Sequence, residues 1–194
     1  MKYVLWSGGY DSTYVLLDLL KNSSEENPVT AISINHVCLD KKQYKLECIT
    51  REKIKRQFKK DGYHLLHRII NISSNMNVQI VDNSLAQPFM WSTSVLSFLT
   101  SGDELYFGYI KKDDFWHIKH EFNEMIFGIA KAMQKEIAIF YPLEYILKED
   151  IIKELGKYAN LCWTCDEPIK NKQCGKCYKC KEAKWNSING KKKH

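Results

Sequence analysis

The chain has 194 residues, 44% of them apolar and 27% charged, and a net charge of +6. That length suits one α/β domain with a small appendage, and the apolar share supports a packed core, which sets disorder aside. No apolar run reaches the roughly 20 residues that span a bilayer. Residues 1–6 pass into a glycine loop too soon to form a signal segment, so a cytoplasmic protein with no membrane partner is expected.

The first strand is expected over Tyr3-Val4-Leu5-Trp6, followed by Ser7-Gly8-Gly9-Tyr10-Asp11-Ser12-Thr13. A strand that passes through two glycines into a helix leaves backbone N–H groups free at the helix N-terminus. The glycines let a ligand come close, and the helix dipole favours negative charge there. With the hydroxyls of Ser7, Ser12 and Thr13, the loop reads as a phosphate cradle. It is not the lysine-bearing G-x-x-x-x-G-K-[ST] loop. The plainer alternative is a glycine turn capped by Asp11 or Ser12.

A helix is expected over residues 11–21, a β-branched strand over 29–35, and an amphipathic helix over 41–61 with Leu46, Ile49, Ile54 and Phe58 inward and Gly62 closing it. A third strand follows over 67–72, a helix over 88–101, a fourth strand over 104–110, a long helix over 115–134, a fifth strand over 136–140 and a helix over 148–157. Residues 75–87 give no clear pattern. Alternating strands and helices imply a doubly wound, mostly parallel five-stranded sheet, with ligands at the carboxyl edge of the strands. That edge should carry the 7–13 loop, Asn35-His36, Gly108-Tyr109-Ile110 and Tyr141-Pro142-Leu143.

The second signal is Cys162-Trp163-Thr164-Cys165 with Cys174-Gly175-Lys176-Cys177-Tyr178-Lys179-Cys180. Two-residue gaps let successive thiolates turn toward one tetrahedral ion at about 2.3 Å. Five cysteines exceed four ligand places, so one is spare. Zinc is the expected metal, with reduced core cysteines or an iron–sulfur cluster as alternatives. Cys38 and Cys48 read as packing residues. The charge is uneven: residues 162–194 hold nine lysines against three acidic residues, a surplus equal to the whole net charge. A basic tail suits nucleic acid, but it also offsets zinc-bound thiolates, and the second reading is adopted. The expected domains are 1–160 for the nucleotide, 161–185 for zinc, and a disordered basic tail over 186–194.

The 7–13 loop resembles that of the PP-loop ATP pyrophosphatases, which split ATP between the α- and β-phosphates and leave an adenylated substrate. With the cysteine motif, the chain resembles the 7-cyano-7-deazaguanine synthase family. Gly108-Tyr109-Ile110-Lys111-Lys112-Asp113 with Glu121-Phe122, then Pro142-Leu143 through Lys148, then Trp163-Thr164-Cys165 and Cys174, Cys177 and Cys180 follow that family's order. The resemblance implies an adenine-nucleotide α-hydrolase (HUP-like) fold, a homodimer, and zinc on Cys165, Cys174, Cys177 and Cys180, which leaves Cys162 spare. It also implies a C–N ligase that activates a small carboxylate such as 7-carboxy-7-deazaguanine with ATP and Mg²⁺ for attack by ammonia. Ser7, Gly8, Gly9, Asp11, Ser12 and Thr13 would then hold ATP.

In that mechanism Asp11, Ser12 and Lys148 are the catalytic candidates, and Trp91, Asp113, Asp114 and His117 are candidates for the substrate pocket. The family's Gly-Arg-Asn segment is Met90-Trp91-Ser92-Thr93-Ser94 here, and its aromatic-Gly-Gln element is replaced by Asn35-His36-Val37-Cys38. A PP-loop tRNA sulfurtransferase, another adenylating enzyme, and a nucleotide-binding subunit without catalysis are the other readings. Nucleic acid is the less favoured partner.

Overall fold

The computed structural model describes residues 1–36, 41–72, 86–165 and 167–189. Strand β1 (Lys2–Leu5) leads into α1 (Tyr10–Lys21), β2 (Val29–His36), α2 (Lys41–Lys60), β3 (Leu65–Ile72) and α3 (Ala86–Leu96). Strand β4 (Asp103–Tyr106), a 3-10 turn (Asp114–His117), α4 (Lys119–Ala132), β5 (Ile137–Phe140), α5 (Lys148–Leu155), a second 3-10 turn (Gly156–Leu161) and α6 (Tyr178–Asn189) follow. All five strands are parallel, in the order β3-β2-β1-β4-β5. The chain winds outward from β1 to β3 and then crosses to β4 on the other side. That reversal beside β1 is the switch point at which open parallel sheets bind ligands.

Strand alternation sends successive residues to opposite layers. Val4 and Trp6 join one core with Leu16 and Leu20 of α1, Phe58 of α2 and Ile151 of α5. Tyr3 and Leu105 join the other with Leu96 of α3 and Phe122 and Ile126 of α4. The central strands β2, β1 and β4 are covered on both faces, whereas the edge strands leave Leu66, Ile69 and Phe140 exposed. At the end of α2, Gly62 at φ +84° and the Tyr63 N–H to Phe58 carbonyl bond of 3.0 Å make the expected glycine stop.

Several expected boundaries move. β4 ends at Tyr106, so Gly108-Tyr109-Ile110 forms a loop over the sheet edge rather than strand. The helix expected over 115–134 is split at Ile118 between the 3-10 turn and α4. Ile49 of α2 faces outward, 41% exposed, whereas Leu46, Ile54 and Phe58 are buried. α6 runs through 186–189, where the sequence suggests a disordered tail. Cys38, most of 75–87 and the final lysines lie outside the described residues. Among the described residues, no helix is long and apolar enough to cross a membrane.

Candidate functional site

The 7–13 loop lies at the carboxyl end of β1. Gly9 caps α1 in extended geometry, and Gly8 sits at φ +89°, a region that favours glycine. The loop is tied by its own hydroxyls. The Ser7 and Ser12 oxygens are 3.1 Å apart, the Ser7 N–H donates to Ser12 Oγ at 3.3 Å, and the Gly9 N–H donates to Ser7 Oγ at 3.2 Å. Thr13 points the other way. It is fully buried and accepts the Trp6 indole N–H at 3.0 Å, so its hydroxyl anchors α1 to β1.

A cavity of about 660 Å³ opens over this loop. Its walls include Ser7, Gly9, Asp11, Ser12, Trp91, Phe107, Gly108, Tyr109, Asp113, Asp114 and Lys148, and its far rim is Trp163, Thr164, Cys165 and Lys179. Most of the expected site residues thus share one space. His117 is exposed and off this wall. Lys148 Nζ donates to Asp11 Oδ2, while Asp11 Oδ1 is buried with no hydrogen-bond partner. A lysine in the first turn of a helix opposes the helix dipole, and Asp11 offsets that cost. Burial raises the Asp113 carboxyl above its ordinary range; the Ile110 N–H, which donates to it at 3.4 Å, works against this. Burial also raises the Tyr109 phenol, whose ring stacks on Phe115 at 3.8 Å between centroids.

Two further residues help to build the loop: Gly108, which the sequence places at the sheet edge, and Arg51, which it does not single out. Gly108 crosses α1 so closely that a Cβ there would lie 2.9 Å from the Ser12 nitrogen. Arg51 of α2 is 2% exposed and donates to the Ser7 carbonyl at 3.2 Å and to Asn35 Oδ1 at 3.1 Å. The Gly-x-x-x-x-Asp stretch hints at the first. Nothing local marks the second.

The four sulfurs of Cys165, Cys174, Cys177 and Cys180 lie within 4.8 Å of one another. Lys170 and Asn171, both at positive φ, form the tight turn between the two halves of the motif, and the Ile169 and Lys172 backbones pair across it at 3.0 Å. Backbone N–H groups donate to the sulfurs, from Cys174 to Cys165 at 3.2 Å and from Cys177 to Cys174 at 3.2 Å. Burial raises the Cys165 thiol, and the Cys174 N–H works against this. Cys162 stays apart: it is buried, donates to the Tyr158 carbonyl at 3.4 Å, and its thiol is pushed up to about 12 by burial. The cysteine lobe meets the glycine loop directly, because the Trp163 N–H donates to the Gly8 carbonyl at 3.1 Å.

Residues 102–186 match the family model described as queuosine biosynthesis protein QueC. No curated protein matches the chain. Among solved structures it is similar to the U34-tRNA thiolase NcsA from Methanococcus maripaludis, solved with its [4Fe-4S] cluster. The two are 16% identical with a TM-score of 0.52, over 100% of this chain and 67% of that one. At that identity the likeness is one of fold.

Two expectations are corrected by this comparison. Zinc is not retained for the C-terminal lobe, because the matched fold is that of a cluster-bearing protein and four thiolates are also the ligand set of iron–sulfur clusters. The preference against a nucleic-acid partner is also dropped, because the matched protein acts on tRNA.

Proposed function

We propose that this chain, whose residues 102–186 match the QueC model, is an ATP-dependent, thiolase-like PP-loop enzyme that adenylates a base carbonyl of an RNA and replaces its oxygen with sulfur. The observation that carries this reading is the shared cavity, which brings Cys165 to the rim of the space that holds Ser7, Asp11 and Lys148. A cysteine centre serving only to hold its own lobe together has no need to border the phosphate loop.

The chemistry follows from charge. The pyrophosphate of ATP lies on the loop, taken by N–H groups at the start of α1 and by the Ser7 and Ser12 hydroxyls. A base carbonyl oxygen attacks the α-phosphorus, pyrophosphate leaves, and Lys148 offsets its charge. Hydrosulfide then adds to the activated carbon, and AMP departs with the original oxygen. Asp11 fits magnesium, since its buried Oδ1 is unpartnered in a site meant for phosphates. Such an ion neutralises the phosphate oxygens and binds through one or two carboxylates. Trp91 on the wall and Trp163 on the rim offer flat faces of the kind on which unpaired bases stack, and Lys112 and Lys179 line the same cavity.

We read residues 1–160 as the nucleotide-binding domain and 161–185 as a cluster-binding lobe. The set Cys165, Cys174, Cys177 and Cys180 fits an iron–sulfur cluster, with four thiolates and backbone donors to their sulfurs. With all four thiolates as ligands, such a cluster would hold the lobe against the nucleotide site, and the hydrosulfide of the reaction comes from solution. Protein prepared without oxygen is expected to contain iron and acid-labile sulfide in near-equal amounts. Finding neither after reconstitution sinks the cluster assignment.

The match over 102–186 supports a second reading, adenylation of a small carboxylate for attack by ammonia. Pyrophosphate release separates the two. Release that depends on tRNA and sulfide and yields a thiolated nucleoside supports the first reading. Release that depends on 7-carboxy-7-deazaguanine and ammonia supports the second. ADP as the product overturns both.

A further inference from the structure

We infer that Arg51 is the positioning residue of the phosphate loop, holding its first peptide from behind and placing a buried positive charge under the pyrophosphate. This role presupposes the ATP site proposed above. In a trans peptide the carbonyl and the following N–H point in opposite directions, and no cis bond is present among the described residues. Arg51 Nη1 holds the Ser7 carbonyl at 3.2 Å, so the Gly8 N–H is turned to the opposite side, away from Arg51. The next carbonyl, of Gly8, is held in turn by Trp163 at 3.1 Å. Two successive peptides fixed by their carbonyls, with Gly8 at φ +89°, hold the curve of the loop; its Gly9 N–H donates to Ser7 Oγ at 3.2 Å, so the Gly8 N–H is the donor whose direction the Arg51 bond sets.

The guanidinium is itself held. Its Nη2 donates to Asn35 Oδ1 at 3.1 Å, and Asn35 donates to Asn71 at 2.8 Å, which ties the loop to β2 and β3. The Arg51 Cγ lies 3.1 Å from where a Cβ on Gly8 would stand, so the side chain is packed against the loop as well as bonded to it. The Glu47 carboxylate, 3.6 Å from Nη1 and 30% exposed, pairs with the guanidinium one helical turn away and lines the cavity. Arg51 lies outside the large cavity, so it acts through the loop and not by contact.

The test measures binding of inorganic pyrophosphate and of AMP by calorimetry, with circular dichroism to check folding. R51K keeps the charge without the fork, and R51Q removes the charge. Pyrophosphate affinity is expected to fall about tenfold in R51K and further in R51Q, as for loss of a bond to a charged group. AMP affinity should hold, whereas general damage would lower both. N35D is the variant that tolerates failure of the others: its carboxylate keeps Arg51 in place and cancels its charge, and pyrophosphate should again weaken against AMP. Equal pyrophosphate affinity in wild type and in every folded variant overturns the role of Arg51. Wild-type protein that takes up neither pyrophosphate nor ATP overturns the ATP site itself.

Discussion

Lys148, the first residue of α5, forms an ion pair with Asp11 in the first turn of α1, joining positions 137 apart in the chain at the mouth of the cavity. Each side chain keeps the other in place, and neither helix alone would hold its charge there. Lys148→Met and Asp11→Ala are each expected to lower ATP-dependent pyrophosphate release by tens to thousands-fold, roughly the range for one positioned stabilising group. The double variant should be little worse than the poorer single one, because the two act as a unit. Losses that multiply would show that they work independently.

The close crossing of Gly108 gives a prediction about space. Backbone of α1 surrounds the position a Cβ would take there at 2.9–3.1 Å and cannot swing aside as a side chain can. Gly108→Ala should cost about 1–3 kcal/mol, as overpacking does, and should weaken nucleotide binding. Gly128, exposed in α4 with open space around it, is the control. There alanine should stabilise by about 0.5–1 kcal/mol. Urea titration of both variants checks the pair.

His67 makes stability depend on pH. Its Nε2 lies 2.9 Å from Ser33 Oγ, which donates to the Trp6 carbonyl at 2.7 Å, and burial lowers its pKa from 6.5 to about 4. The nearby Arg51 charge adds to the shift. The unfolded chain takes up the proton first as pH falls, so this contribution is complete above pH 6.5. It is lost between 6.5 and about 4 and is level below that. The urea midpoint of wild type minus that of His67→Gln should shrink across this window. A constant difference counts against the assignment.

The cysteines should divide into two chemical groups. Cys174→Ser or Cys177→Ser should lower bound iron and sulfide sharply, while Cys162→Ser should leave both unchanged. With its thiol pushed up to about 12, Cys162 should also resist iodoacetamide at about pH 8 in the folded protein and react after unfolding. Rapid native labelling at Cys162 would contradict its buried placement.

What the sequence carries well is local. The strand, the two glycines and the start of α1 are consecutive, so their pattern alone predicts the turn. The cysteine spacing likewise brings four sulfurs together within one short lobe. Thr13 reads as a phosphate donor because it adjoins Ser12, but one step around a helix turns a side chain by about 100°. That step carries it to the Trp6 indole. Arg51 escapes a sequence reading because its bond to Ser7 spans 44 positions and depends on how α2 packs beside β1. α6 escapes it because its largely polar sequence, with Cys180 its one cysteine, shows no apolar stripe.

The bond from Trp163 to Gly8 has a consequence for assembly of the protein during synthesis. The glycine loop leaves the ribosome well before its partner, and one of its carbonyls waits until more than 150 further residues have followed. The pocket is therefore completed late, when the cysteine segment folds back over β1 and α1. Nascent chains that stop short of that segment lack both the rim of the pocket and the donor that steadies its floor, which keeps incomplete copies from presenting a finished site.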